Sequence, residues 1–196
     1  MNCDHPKKRI AIFASGSGTN TEAIIKYFEN NAEICVASIF SNNPEAYVLT
    51  RAKNHYIPAF TFNRSDLYKT NRVLNLLQEQ KADYIVLAGF LWLIPTHLIN
   101  NYKNRIINIH PALLPEYGGK GMYGDRVHQK VWENGEPETG ISIHLVNEKY
   151  DEGKIIFQAT TPIERDDTPE IIASKVHELE YQHYPRIIEQ FIRSDV

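Results

Sequence analysis

The sequence predicts an α/β protein: a three-layer α/β/α arrangement around a mostly parallel, Rossmann-like sheet that ends in an antiparallel C-terminal strand. Three observations predict it. Apolar runs alternate with helix-period segments through the first half of the chain, the pattern of successive βαβ units. The run Tyr84-Ile85-Val86-Leu87-Ala88 is apolar at every position, as a strand covered on both faces must be. Residues 141–146 and 154–160 alternate apolar and polar on either side of an Asp151-Glu152-Gly153 turn, which describes an antiparallel pair.

Taken in order, residues 9–14 form the first strand, and Ser15-Gly16-Ser17-Gly18-Thr19-Asn20 breaks it. A helix over 21–30 follows, with Ala23, Ile24, Tyr27 and Phe28 at helical spacing. The second unit is a strand over 34–40, a Ser41-Asn42-Asn43-Pro44 turn, a helix near 45–54 and a short strand around 59–62. A helix from Ser65 or Asp66 to about Gln80 leads into the strand at 84–88. After a further β-branched strand at 106–109, residues 117–124 hold four glycines in eight positions and are expected to form a mobile loop. A helix near 126–134 stops at Gly135, and the chain closes with an amphipathic helix over 168–192 whose start is capped by Thr168-Pro169-Glu170.

Composition narrows the functions available. With 196 residues, 42% hydrophobic and 23% charged, the chain fits one globular domain over 1–196, with 1–8 as a flexible tail. A net charge of -3 gives no basic field for a nucleic-acid backbone, so no nucleic-acid partner is expected. No apolar run is long enough to span a bilayer and no membrane partner is expected. The only cysteines are Cys3, in a polar stretch, and Cys35, in an apolar run; we expect no disulfide framework and a cytoplasmic location. The histidines lack metal-ligand spacing, and no metal is expected.

Chemistry is concentrated in four places. The strand Ile106-Ile107-Asn108-Ile109-His110 ends on an amide and an imidazole two residues apart, hence on one face, followed by Pro111. Together they supply donors for a developing oxyanion. The glycine loop between the first strand and first helix either binds a phosphate through its amides or merely turns the chain. Thr21 stands where a dinucleotide fingerprint wants its third glycine, so a monophosphate suits it better than NAD. Asp151 is an ordinary turn former unless its turn folds back over the sheet edge, where its carboxylate would pair with His110. The apolar segment Ala88-Gly89-Phe90-Leu91-Trp92-Leu93-Ile94-Pro95 is either core or the wall of a pocket for a flat heteroaromatic ligand. His144, on an alternating strand, reads as packing rather than catalysis.

Four of these segments, in this order, resemble the formyltransferase superfamily: Ala14-Ser15-Gly16-Ser17-Gly18-Thr19-Asn20, Leu87-Ala88-Gly89-Phe90, Asn108-Ile109-His110-Pro111-Ala112-Leu113-Leu114-Pro115, and Gly140-Ile141-Ser142-Ile143-His144 leading to Asp151-Glu152-Gly153. Within it they are most similar to the folate-dependent phosphoribosylglycinamide (glycinamide ribonucleotide) formyltransferase family of purine synthesis. That resemblance implies formyl transfer from the co-substrate 10-formyltetrahydrofolate to the amine of glycinamide ribonucleotide, in a monomer or homodimer. It implies Asn108 and a protonated His110 at the oxyanion, with Asp151 assisting proton transfer. It also implies Ser17, Gly18, Thr19, Asn20 and Glu180 at the ribonucleotide, and Leu91, Trp92, Leu93, Ile94, Asn108 and Val146 at the folate. Trp92 departs from a frequent arginine, and Arg64 is one place off an arginine associated with the folate tail, so that role is not carried over.

Methionyl-tRNA formyltransferase and formyltetrahydrofolate hydrolase share the Asn-His-Pro core but carry additional domains that a 196-residue chain is not expected to hold. Sugar-nucleotide formyltransferases fit the phosphate loop less well. A non-catalytic nucleotide-phosphate binding module, using the glycine loop alone, is the alternative from another class.

Overall fold

A computed structural model describes residues 7–194 of the chain. One seven-stranded sheet has the order β3-β2-β1-β4-β5-β6-β7. The strands are β1 (Lys8–Phe13), β2 (Ile34–Ser41), β3 (Ala59–Thr61), β4 (Tyr84–Leu87), β5 (Ile106–His110), β6 (Glu138–Leu145) and β7 (Ile155–Pro162). Strands β1 to β5 are parallel, β6 is antiparallel to both β5 and β7, and so β6 alone is reversed. The expected mostly parallel sheet with an antiparallel C-terminal strand is what forms.

The sheet is covered on both faces because its central strands are apolar along most of their length, β4 throughout. Ile10 and Ile12 of β1 join a core with Ile24, Ile25, Val176 and Ile188, beneath α1 (Thr19–Phe28) and α7 (Pro169–Ser194). Their neighbours Ala11 and Phe13 point the other way, into a core with Leu67, Val73, Leu77 and Leu98. That second layer is built by α3 (Arg64–Tyr68), α4 (Arg72–Glu79) and α5 (Thr96–Asn101), while α2 (Val48–Asn54) and α6 (Asp125–Glu133) complete the set. Tyr184 ties α7 to the sheet from inside: its buried hydroxyl donates to the Leu87 carbonyl at 2.8 Å, with the Ile107 carbonyl at 3.2 Å.

The structure departs from the sequence reading in several places. The helix expected from Ser65 or Asp66 to Gln80 is two helices, α3 and α4. The Thr70 hydroxyl donates to the Asp66 carbonyl and accepts from the Arg72 amide, a local alternative to the helical ladder that breaks it between them. The segment after Pro95 contains α5, a six-residue helix that the sequence reading does not assign. Of the expected tail, Lys7 and Lys8 are tied down: the Lys7 ammonium donates to the Asn31 carbonyl at 2.9 Å and the Lys8 amide to the Glu33 carbonyl at 2.7 Å. Residues 1–6, the rest of that tail, lie outside the described residues. Cys35 is disulfide-bonded, which corrects the expectation of unpaired cysteines; Cys3 is outside the described residues. No helix among the described residues is long and apolar enough to cross a membrane.

Candidate active site

The strand order reverses at the β1–β4 junction, where the loops leaving their carboxyl ends diverge and open a crevice. Ser15 ties that junction together. Its amide donates to the Gly89 carbonyl at 3.0 Å, and its hydroxyl donates to Asn42 Oδ1 at 2.7 Å while accepting from the Leu91 amide at 3.0 Å. The crevice is a cleft of about 570 Å³ lined by residues 15–20 and 88–91, the end of β5, the loop 119–124, Tyr150 and Asp151, and four residues of α6 and α7.

The glycine loop forms the start of this cleft. Gly18 caps α1 with φ 72°, and a Cβ placed there would lie 2.5 Å from Val48 Cγ2, so both the backbone and the space require glycine. Asn20, two residues on, donates through Nδ2 to Glu180 Oε2 at 2.8 Å, while Asn20 Oδ1 is buried without a partner. The resemblance grouped Ser17, Gly18, Thr19, Asn20 and Glu180, and the structure brings all five to one cleft.

Burial pushes the Glu180 carboxyl up to about 7, against the opposing pull of the Asn20 amide. Such a group costs stability as pH rises from the ordinary carboxylate value of 4.5 to about 7, because the unfolded chain loses its proton first, and above that range the cost is constant. Glu180→Gln is therefore expected to be more stable than wild type at pH 8, by up to about 3 kcal/mol, and equal to it below pH 4. Denaturant unfolding at the two pH values checks this; an equal stability at pH 8 refutes it.

At the other end, β5 and β6 supply four polar side chains on one face. Their register places Asn108 opposite His144 and His110 opposite Ser142. His144, only 2% exposed, donates through Nδ1 to the Leu145 carbonyl at 2.8 Å, so its Nε2 is free to accept from Asn108 Nδ2 at 3.0 Å. This fixes which way the Asn108 amide faces and leaves its second N–H uncommitted. Below it, the buried Ser142 hydroxyl donates to the Ala112 carbonyl and accepts from the Leu114 amide and Gln158 Nε2, holding the chain as it leaves β5.

His110 is 3% exposed and its Nε2 donates to the Tyr117 carbonyl at 2.7 Å. Its Nδ1 faces Asp151 Oδ2 at 3.6 Å, and Asp151 Oδ1 lies 3.6 Å from His144 Nε2. The turn therefore does fold back over the sheet edge, and the carboxylate stands between two imidazoles. Asp151 holds a left-handed φ of 56°, uncommon outside glycine, and the Gly119 amide donates to its Oδ2 at 2.9 Å. Burial pushes the Asp151 carboxyl up, but His144, His110 and the Gly119 N–H outweigh it, and the group stays below the ordinary carboxylate value. Burial also dominates at His110, lowering its pKa despite the opposing pull of Asp151 and the Tyr117 carbonyl.

Of the residues assigned to the folate side, Leu91 and Asn108 line the cleft. Trp92, Leu93, Ile94 and Val146 do not. Ile94 is core at 2% exposure, Val146 packs against that core, and the Leu93 carbonyl accepts from the Tyr68 hydroxyl. Trp92 packs edge-on against Phe62, and the Arg64 guanidinium lies 4.7 Å from its ring centroid. The sequence reading takes His144 as packing; the structure buries it against Asn108, and the signal for that contact is register: alternation in 141–146 puts Ser142 and His144 on the face that Asn108 and His110 share. The carbonyl of Tyr117 and the amide of Gly119 leave no trace in side-chain chemistry. Among the described residues no group of histidine, cysteine and carboxylate side chains is arranged to hold a metal ion.

Comparison with known proteins agrees with this geometry. Residues 8–188 match the formyl transferase family model. The chain is 36% identical to phosphoribosylglycinamide formyltransferase of Haemophilus influenzae, over 94% of this chain and 87% of that one. It is 35% identical to the enzyme of the same name from Bacillus subtilis, over 94% and 95%. The chloroplastic phosphoribosylglycinamide formyltransferase of Arabidopsis thaliana is 35% identical over 93% of this chain, which spans 64% of that longer protein. Among solved structures, phosphoribosylglycinamide formyltransferase from Bacillus halodurans superposes with a TM-score of 0.85 at 35% identity, covering 94% and 95% of the two chains. Glycinamide ribonucleotide transformylase 1 from Symbiobacterium toebii gives 0.87 at 30% identity, covering 99% and 92%. The sheet order, the cleft and these likenesses agree that the chain belongs to the formyl transferase family, alongside its phosphoribosylglycinamide formyltransferases.

Proposed function

We propose that the chain transfers the formyl group of 10-formyltetrahydrofolate to the amine of glycinamide ribonucleotide, in purine biosynthesis. The observation that carries this reading is the convergence of Asn108, His110 and Asp151, from two separate segments, at one cleft with a glycine loop at its other end. The loop suits the phosphate of the ribonucleotide, through the amides of Ser17, Gly18 and Thr19 and the side chain of Asn20. Glu180 suits the polar body of the same substrate. Leu91 and Asn108 face the folate, with Trp92, Leu93, Ile94 and Val146 shaping the wall from behind.

In this reading the amine nitrogen attacks the formyl carbon, a C–N bond forms, and the carbonyl electron pair moves onto oxygen. The free N–H of Asn108 is the donor for that oxyanion, and the His110 imidazolium supports it by charge, its Nε2–H being held by the Tyr117 carbonyl. Burial keeps the resting imidazole neutral, so the proton that makes it cationic comes from the attacking amine, by way of Asp151. Collapse of the intermediate breaks the bond to the folate nitrogen, which takes up the proton as tetrahydrofolate leaves. Both partners are small molecules; we place the chain in the cytoplasm on their account, as a monomer or homodimer, since the disulfide at Cys35 removes the cysteine argument.

The test is consumption of 10-formyltetrahydrofolate with and without glycinamide ribonucleotide. Turnover that requires the ribonucleotide is expected, and Asn108→Ala should lower kcat about 10²- to 10³-fold while both substrates still bind. Turnover without the ribonucleotide would instead make the protein a hydrolase, and no turnover in either arm a binder.

A further inference from the structure

His128 and His177 lie in the same cleft and no step above uses them. His128, on α6, is 2% exposed and its Nδ1 is buried without a hydrogen-bond partner. His177, on α7, sits one helical turn before Glu180, and its ring meets that of His128 edge-on with centroids 6.2 Å apart. A buried ring nitrogen with no protein partner, in the wall of a cavity, marks a place where a ligand atom completes the structure.

We propose that the paired imidazoles of His128 and His177 form the wall that faces the substrate's phosphate from across the cleft, and that this wall takes up a proton from solvent when the phosphomonoester binds. The proposal rests on the ribonucleotide reading above and extends it. Asn20 bonds to Glu180, so the glycine loop and the His177 turn of α7 are held side by side at one end of the cleft. A dianion placed between loop amides and two imidazoles favours the cationic form of at least one of them. The protein alone holds both rings neutral: burial lowers His128 to about 4, with His177 adding to the effect and Asp125 opposing it, and burial likewise lowers His177. The open edge of the His177 ring makes it the one that accepts the proton.

Other charges face this pair and set its background. Asp125 on α6 favours protonation of both rings, while His110 on β5 disfavours it at His128. Lys120 of the loop and Glu180 of α7 line the same cleft, and Tyr181 stacks on His177. On its far side His177 borders a groove carrying Arg126, Lys130, Glu133 and Glu170. These groups are unchanged in a comparison of wild type with His177→Gln, so the difference isolates the imidazole.

The experiment follows the carbon-bound ring protons of His177 by NMR from pH 5 to pH 9, with the signal assigned by its loss in His177→Gln. Saturating ribose 5-phosphate is expected to raise the proton affinity of His177 at least about tenfold, and ribose to leave it unchanged. No change with ribose 5-phosphate, or the same change with ribose, overturns the proposal. In the formyl-transfer assay at pH 6.5, His177→Gln should raise KM for glycinamide ribonucleotide about tenfold, well beyond its effect on kcat or on the folate KM, and flatten the dependence of that KM on pH. A KM that stays at the wild-type value overturns it equally. A phosphate-linked protonation of His177 in a protein without formyl-transfer activity would keep this inference and sink the function proposed above.

Discussion

Asp151→Asn is expected to lower kcat by about 10²- to 10⁴-fold while leaving the fold and substrate binding near wild type. The substitution is close to isosteric, and an asparagine Oδ1 still accepts the Gly119 amide that anchors the turn. What it removes is the charge that stands 3.6 Å from both His110 Nδ1 and His144 Nε2. Two consequences follow for the reaction. His110 loses the one carboxylate that opposes its burial among the described residues, and the imidazolium becomes harder to form. The route for the amine proton also loses its basic group, because a carboxamide does not accept a proton at neutral pH. The deficit should be the same across pH 5 to 8, since the carboxyl is held below the ordinary carboxylate value and is already ionised throughout that window. Steady-state kinetics with both substrates, together with a binding measurement, checks this. A kcat within threefold of wild type would remove Asp151 from the mechanism, and equal losses in kcat and binding would make its role structural.

The fold was legible in the sequence wherever burial alone decided it. The strands at Ile10 and Tyr84 announce themselves because a strand covered on both faces is apolar on both through its buried length, and the lone reversed strand follows from alternation on either side of a turn. The break between α3 and α4 was not legible, because Thr70 chooses a side-chain bond over the helical ladder and both options fit the same apolar spacing. The site shows the same division. Asn108 and His110 were legible from one strand, since period-two geometry alone puts them together. For Asp151 the residues alone left two readings open, turn former or partner of His110, because their meeting depends on how a distant turn lies on the sheet; only the family resemblance chose between them. His144 needed the β5–β6 register, and the contribution of Gly119 is a backbone amide, which composition never reveals. Val146 and Ile94 were assigned from the resemblance alone, and burial is what the structure adds: Ile94 belongs to the core and Val146 packs against it.

Gly153→Ala should be the most damaging single-methyl change near the site, although Gly153 touches no substrate in the mechanism. A Cβ there would lie 1.6 Å from the Leu145 carbonyl oxygen and 2.7 Å from its carbon, with His144 Nδ1 at 3.3 Å. The obstacle is backbone, so no rotamer change relieves it and the turn itself must move. That carbonyl is also the acceptor for His144 Nδ1, and the Leu145 amide donates to the Lys154 carbonyl at 2.9 Å, so the displacement reaches both strands of the hairpin. If His144 loses its acceptor, its Nε2 no longer fixes the Asn108 amide, and Asp151, two residues before the methyl, swings away from His110. The expected stability loss is about 4 kcal/mol, a fall in Tm of roughly 10 °C for a chain of this size. A misplacement of about 1 Å costs on the order of 10² in rate, so kcat should fall at least that far in the fraction that remains folded. Thermal unfolding and kinetics well below Tm separate the two effects. A folded Gly153→Ala protein with wild-type kcat would show that the turn can shift without moving the carboxylate, and would break the link drawn here between the packing of one glycine and the aim of the catalytic pair.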